Sequence, residues 1–305
     1  MLGAAKIKPR GRAILHFLVG PGLQNIVGLC PWTLFCNSHN RINMDKPLNE
    51  RHVIILEQLM DGVSGVQEIA KITQVSEITI RRDFVELEKM GFIKRIYGGA
   101  KIISGRSTVV PFTLRKLRNR EVKNKLAAYA ATMISDGECI AFDSGTTILE
   151  MTGFMQEFNS LTVLTTSIFN AVELIKNPNI KVVLPGGMLE GMEGALRGEL
   201  PITALQDFFV DKFFLCVGAI DSVSGLTEHD PEDAQVKSII ISKAKETILV
   251  VDSSKFECTA FKKVCSFECI TKLITDMRPP EPLLNQLKSA GTEIHVILDG
   301  NIDII

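Results

Sequence analysis

Three observations predict a mixed α/β chain with two domains. Residues 48–103 read as three short amphipathic helices followed by two strand-like runs around Gly98-Gly99, residues 121–299 alternate apolar strand-length runs with helical segments, and a basic stretch with Pro111, 104–120, links them. The first pattern is that of a winged helix-turn-helix domain, and the second that of a doubly wound α/β domain around a mostly parallel sheet. With 305 residues, 46% of them hydrophobic, the chain is long enough to bury two separate cores.

Residues 1–43 stand apart from both. Lys6, Lys8, Arg10 and Arg12 precede an apolar run from Ala13 to Leu18, but Gly20, Pro21 and Gly22 break it far short of the roughly 18 apolar residues a membrane span requires. Met44 and Asp45, directly ahead of a helical pattern, offer a better start, so 1–43 is read as an extension, disordered or a misassigned start, outside the fold. Asn49 then caps a first helix, Glu50 to Met60, with Ile55, Leu56, Leu59 and Met60 on one face. A second, Val66 to Ile72, buries Val66, Ile69 and Ala70; a third, capped by Ser76 and reaching Met90, turns Ile80, Phe84 and Leu87 inward. Gly91 stops it, and Phe92–Tyr97 and Ala100–Ile103 form a hairpin in which Gly98 and Gly99 are expected to take the two positive-φ turn positions.

The formal net charge of -1 conceals a strong asymmetry: +5 over residues 1–43, -4 over 44–88, +10 over 89–125 and -12 over 126–305. A chain whose positive charge gathers beside one small module can bind a polyanion there without adhering to it elsewhere. Duplex DNA is the expected partner. The start of the third helix enters the major groove in such a module, which assigns DNA contact to Ser76, Glu77, Thr79, Arg81 and Arg82; the hairpin brings Lys94, Arg95, Tyr97 and Lys101 to the backbone beside it. The seven cysteines are odd in number and form no C-x-x-C pair, and Cys30, Cys36 and His39 lack a second pair of ligands, so neither disulfides, a metal nor any other cofactor is expected. This usage suits a reducing, cytoplasmic setting.

In the second domain the strand-like runs are Cys139–Asp143, Leu161–Leu164, Lys181–Leu184, Lys212–Val217, Thr247–Val251, Ile270–Ile274 and Glu293–Leu298, entered through the basic stretch Arg115 to Lys125. Ligands of such sheets bind beyond the carboxyl ends of the strands. There the sequence places Asp143, Ser144, Gly145, Thr146 and Thr147, then Thr165, Thr166 and Ser167, then Gly186 and Gly187, then Asp221 with Glu232 and Lys237 further on, and finally Asp252 and Lys255. Singly, these are ordinary caps and turns. Repeated along one sheet edge, hydroxyls, glycine amides and a lysine suit a phosphate, and carboxylates suit the hydroxyls of a polyol.

The stretch Val75-Ser76-Glu77-Ile78-Thr79-Ile80-Arg81-Arg82-Asp83-Phe84, continued by Leu87-Glu88-Lys89-Met90-Gly91 and by Arg95 to Ala100, closely resembles the signature of the DeoR family of regulators, and the resemblance runs from about residue 48 to 298. It implies a second domain whose fold is shared with ribose-phosphate isomerases and coenzyme A transferases, with the family pattern at Asp143–Thr147, Gly186-Gly187, Gly225-Leu226-Thr227 and Asp252–Lys255, and a phosphorylated sugar as effector. Thr165-Thr166-Ser167 departs from the family's usual Thr-Asn-Ser. The expected function is a DNA-binding transcriptional regulator, a repressor of a carbohydrate-use operon relieved by a phosphorylated sugar, not an enzyme, acting as a homo-oligomer away from membranes. The alternative is a sugar-phosphate isomerase-like enzyme with an appended helical domain, drawing base and electrophile from Asp221, Glu232 and Lys255.

Overall fold

The computed structural model describes residues 48–305 apart from 61, 104, 105, 107–109, 190–192, 299 and 300; the predicted extension, 1–43, with Cys30, Cys36 and His39, lies outside the described residues. The first domain consists of α1 (Glu50–Met60), α2 (Val66–Thr73), α3 (Glu77–Lys89) and the antiparallel strands β1 (Ile93–Ile96) and β2 (Gly99–Ile102). Side chains cap the helices as their types require: Asn49 Oδ1 accepts the His52 N–H at 2.8 Å, and Ser76 Oγ accepts the Thr79 N–H at 3.3 Å. Ile55, Leu56, Ile69, Ile80, Phe84 and Leu87 meet in one fully buried core. The Arg51 guanidinium donates to both carboxylate oxygens of Asp83, at 2.7 and 3.1 Å, above a wholly buried His52. Asp83 therefore locks α3 onto α1 through a two-pronged charge-assisted contact.

The hairpin departs from expectation in one respect. Ile96 pairs with Gly99, so the turn is Tyr97-Gly98, and of the two glycines only Gly98 has positive φ, at 77°. Gly99 lies in β2, where a Cβ would sit 1.9 Å from the Ser64 carbonyl oxygen. Space, rather than backbone freedom, demands glycine there. The close approach lets the Ala100 N–H reach that same oxygen at 3.0 Å and the Val66 N–H reach the Gly98 carbonyl at 3.0 Å, pinning the hairpin to the start of α2.

The second domain begins with α4 (Phe112–Leu117) and α5 (Arg120–Ala131), followed by β3 (Cys139–Phe142), α6 (Thr146–Met151), β4 (Leu161–Thr165), α7 (Ile168–Leu174), β5 (Ile180–Val183), the hairpin β6 (Met188–Leu189) and β7 (Leu196–Arg197), and α8 (Glu199–Ala204). Then come β8 (Val210–Leu215), β9 (Ala219–Asp221), β10 (Gly225–Glu228), α9 (Pro231–Lys243), β11 (Ala244–Val250), β12 (Lys262–Cys265), β13 (Lys272–Thr275), α10 (Glu281–Ser289), β14 (Glu293–Leu298) and β15 (Asn301–Ile304). All seven predicted strands join one sheet, ordered β15-β14-β13-β11-β8-β3-β4-β5, parallel except for the edge strand β15. The chain enters the sheet at β3, winds outward to β5, and returns to β8 on the other side of β3. This reversal of winding places helices on both faces.

Alternate residues accordingly face opposite cores. Ile140, Phe142, Phe214, Ile248 and Val250 pack under α5 and α6, while Ala141, Phe213, Leu215 and Leu249 pack under α9 and α10. A smaller antiparallel sheet, β12-β10-β9, was not apparent in the sequence, since its central strand carries a buried Glu228 where an apolar side chain is the usual signal. Among the described residues no helix is long and apolar enough to cross a membrane.

Candidate functional site

Where the winding reverses, between the carboxyl ends of β3 and β8, the structure opens a cavity of about 110 Å³. The turn after β3 supplies Ser144 and Gly145, the start of α6 supplies Thr146 and Thr147, and the turn after β8 supplies Cys216 to Gly218. They lie so close that a Cβ on Gly145 would meet the Cys216 Cβ at 2.6 Å; Gly145, with φ -68°, is needed for room and not for an unusual backbone angle. Asp252, Ser254 and Lys255 enter from the end of β11, and Lys237 from α9. The remaining wall comes from outside the predicted set: Glu193 and Arg197 from the β6–β7 region, Glu228 and His229 from the end of β10, Arg115 and Arg118 from α4 and its end, and Lys123 from α5. Met60, the last residue of α1, and Val110 also reach it, so the DNA-binding module and the linker contribute to the lining.

The charges divide into a closed group and an open one. Lys237 Nζ lies 2.5 Å from Glu228, 3.1 Å from Asp233 and 3.4 Å from Asp143, all four side chains being largely or wholly withdrawn from water. Burial opposes its charge, but three carboxylates outweigh burial and hold it protonated well above the ordinary lysine range. Burial raises Asp143 to about 6 against the pull of Lys237, whereas for Glu228 that same lysine overcomes burial and lowers the carboxyl to about 2. Asp143 also accepts the Cys216 N–H at 3.1 Å, and Glu228 accepts the Gly218 N–H at 3.0 Å, so the group braces the turns against one another. Lys237 is thus engaged by the protein itself.

The open group consists of cations. Lys255 makes no ion pair among the described residues, and burial lowers its pKa despite the neighbouring Asp252. Arg118 likewise pairs with no carboxylate among the described residues, where its buried Nε finds no hydrogen-bond partner. Lys123 donates to the Arg115 carbonyl, and burial lowers it to about 8. Arg115 is paired with Glu193. Asp252 is occupied locally, accepting from Ser254 N–H and Asn119 Nδ2 at 3.1 Å each. Asp252 and the other carboxylates of the wall offset part of this charge, but Arg118 and Lys255, in no ion pair among the described residues, leave donors that suit an anion. Cys216 is no nucleophile here, since burial raises its thiol to about 12.

Of the predicted effector residues, the structure brings Ser144, Gly145, Thr146, Thr147, Lys237, Asp252 and Lys255 to the cavity wall, with Asp143 directly behind them. The others have different surroundings. Ser167 caps α7, Thr165 Oγ1 accepts from the Ser167 N–H, and the Thr166 carbonyl accepts from Leu196. Gly186 and Gly187, both at positive φ, make the bend ahead of β6. Asp221 accepts the Val223 and Ser224 N–H groups within the β9–β10 turn, and Glu232 accepts the Gly198 N–H. The missed cations Arg115, Arg118 and Lys123 belong to the basic stretch visible in the sequence; their charge was the signal, and only folding shows that they point at the sheet edge.

On the DNA-binding module, Arg82 is exposed on α3 and makes no ion pair among the described residues, whereas Arg81 is tied to Glu77 at 3.3 Å and Arg95 to Glu88 at 2.6 Å. Glu88 is held below the usual carboxylate range by that contact. Ser76 and Thr79 hydroxyls lie 2.9 Å apart at the start of α3. Lys94 stands directly opposite Lys101 across the hairpin, and Tyr97 is fully exposed at its tip. Like charges facing each other cost stability in a free hairpin, and a phosphate backbone removes that repulsion.

Comparison with known proteins covers both domains. Residues 51–106 match the family model described as DeoR-like helix-turn-helix domain, and residues 118–277 match the one described as DeoR C terminal sensor domain. The chain is 33% identical to the uncharacterized HTH-type transcriptional regulator FruR of Bacillus subtilis, over 74% of this chain and 90% of that protein. It is 32% identical to the HTH-type transcriptional repressor CsqR of Escherichia coli, over 81% and 94%, and 30% identical to the glycerol-3-phosphate regulon repressor of Escherichia coli, over 82% and 98%. Among solved structures, ribose 5-phosphate isomerase A of Methanocaldococcus jannaschii is similar over 45% of this chain and 55% of its own, with 19% identity and a TM-score of 0.33, too slight a likeness to carry an argument.

Proposed function

The chain belongs to the DeoR family of transcription regulators, and from that premise we propose that it represses carbohydrate-use genes until a phosphorylated sugar enters the cavity and lowers its affinity for operator DNA. The observation that carries the effector half is the pair of cations Arg118 and Lys255, neither in an ion pair among the described residues, lining a cavity at the sheet's reversal point. Two positive charges match the near-dianionic phosphate monoester at neutral pH. The cavity, of about 110 Å³, has Ser144 and Thr147 in its wall to meet the hydroxyl groups of a small phosphorylated polyol.

Coupling requires that the effector bind the two states of the protein differently; a preference of about 3 kcal/mol for the DNA-incompetent state lowers operator affinity roughly a hundredfold. Met60 and Val110 in the cavity wall place the DNA-binding module within reach of that preference. Paired modules on a palindromic operator imply a homo-oligomer, working in the cytoplasm where the operator lies. The isomerase alternative loses support, because Asp221 and Glu232 are engaged with backbone amides and do not line the cavity. A thermal-shift screen with phosphorylated sugars, followed by mobility shifts on DNA from the chain's own promoter region, tests the reading. Stabilisation by one such compound together with weakened DNA binding is expected; a screen in which none alters either property would refute it.

A further inference from the structure

Glu193, in the cavity wall, grips the linker helix α4 at two points. Its Oε1 accepts the Phe112 N–H at 3.2 Å, and its Oε2 is paired with the Arg115 guanidinium. The Phe112 ring stacks on Phe169 of α7, centroids 4.6 Å apart, and the Arg115 carbonyl receives Lys123 Nζ and, at 3.4 Å, Thr146 Oγ1. Between these anchors Leu114 points the other way. It is buried in the core of the DNA-binding module with Ile55, Leu56 and Phe84. One six-residue helix thus belongs to the cavity on one side and to the DNA-binding module on the other.

We propose that Glu193 is the anion-responsive residue of the cavity: an entering dianion repels its carboxylate and competes for Arg115, releasing α4, which carries the change to the DNA-binding module through Leu114. The inference rests on the reading of the cavity as an effector site and adds Glu193, Arg115, Leu114 and a direction of transmission to it. A dianion held by Arg118 and Lys255 shares a small, partly desolvated space with the Glu193 carboxylate, where like charges repel far more than in water. Arg115, with five donors in a planar fork, is the group for which a phosphate competes best. Displacing one carboxylate undoes both of its own holds on α4, because the same side chain accepts the Phe112 N–H, and leaves the Phe169 stack and the Lys123 and Thr146 contacts to the Arg115 carbonyl. The anion then favours the released state only to the extent that Glu193 disfavours anion binding in the docked one.

The test uses the full chain and DNA from its own promoter region, with inorganic phosphate and a set of triose, pentose and hexose monophosphates as probes. For the wild type, the probe that stabilises the protein most should weaken DNA binding by about tenfold or more. In Glu193→Gln that probe should bind about three- to tenfold more tightly, the repulsion being gone, while its effect on DNA binding shrinks to within about twofold. Glu193→Ala, which also removes the acceptor for Phe112, should bind DNA more weakly than wild type with no probe present. A full wild-type response in Glu193→Gln, or probe binding that is unchanged or weaker there, overturns the inference alone. A wild type that no probe stabilises overturns the effector reading and this inference with it.

Discussion

Replacing Lys237 by Met removes the sole cation lying within 4 Å of Asp143, Glu228 and Asp233 among the described residues and leaves the volume nearly unchanged. Breaking a buried ion pair from one side typically costs about 3–5 kcal/mol, because the partner's charge stays buried without compensation. At roughly 2–4 °C per kcal/mol for a domain of this size, the melting temperature should fall by ~6–20 °C. The loss must also depend on pH. In the wild type, Glu228, lowered to about 2, contributes stability that is present above the ordinary carboxylate range and lost as pH falls towards 2; Asp143, raised to about 6, lowers stability above that pH and ceases to do so as pH falls below it. Without Lys237 all three carboxyls titrate above their unfolded values, so each weakens the fold at neutral pH and less so once protonated. Thermal melts followed by circular dichroism should therefore show the deficit shrinking between about pH 7.5 and about pH 5.5. A deficit under about 1 kcal/mol, or one independent of pH, would refute the account of Lys237 as the keystone of the cavity.

Arg82→Ala should weaken specific DNA binding by about 1–3 kcal/mol if this unpaired side chain reads a base, whereas Lys94→Ala should lower affinity on all sequences alike and reduce the salt slope by about one; anisotropy titrations at several salt concentrations separate the two. Anion binding in the cavity should fall about tenfold between about pH 7 and about pH 9, since Lys123, at about 8 without ligand, must take up a proton to face the anion, and Lys123→Arg should abolish the dependence in calorimetry. Gly99→Ala should unseat the hairpin, because its Cβ falls 1.9 Å from the Ser64 backbone oxygen, which also accepts the Ala100 N–H; protein melting at a temperature within about 1 °C of wild type, with full DNA affinity, would contradict the packing described.

The helix α3 and the seven parallel strands were legible because their signals are local. Ile80, Phe84 and Leu87 recur at helical spacing, Ser76 stands at the cap position, and runs such as Thr247–Val251 are apolar after their first residue because both faces of the sheet are covered. The cavity was half legible. Asp143–Thr147 and Asp252–Lys255 lie at strand ends, where the sheet's winding rule looks for ligands, and contribute to the cavity wall, whereas Asp221 and Gly186-Gly187, in equivalent-looking turns, and Glu232, at the start of α9, do not line it. Nothing along the chain distinguishes a turn beside the reversal point from one that is not, since strand order is set by pairing between distant segments.

The amino-acid sequence by itself determined the two-domain plan, the DNA-binding elements and the residue types at the sheet edge, all of which follow from periodicity, capping and spacing within a few residues. Tertiary structure alone decided which charges are available. Lys237 and Lys255 look alike in sequence, yet one is enclosed by carboxylates from three separate segments, the nearest of them four residues away and Asp143 94 positions away, and the other faces an open cavity. Arg115, in what reads as a linker, meets Glu193 78 positions later and Leu114 beside it enters the neighbouring domain's core. An ion pair forms wherever packing brings two charges within about 4 Å, and that proximity is a property of the folded chain rather than of any stretch of it.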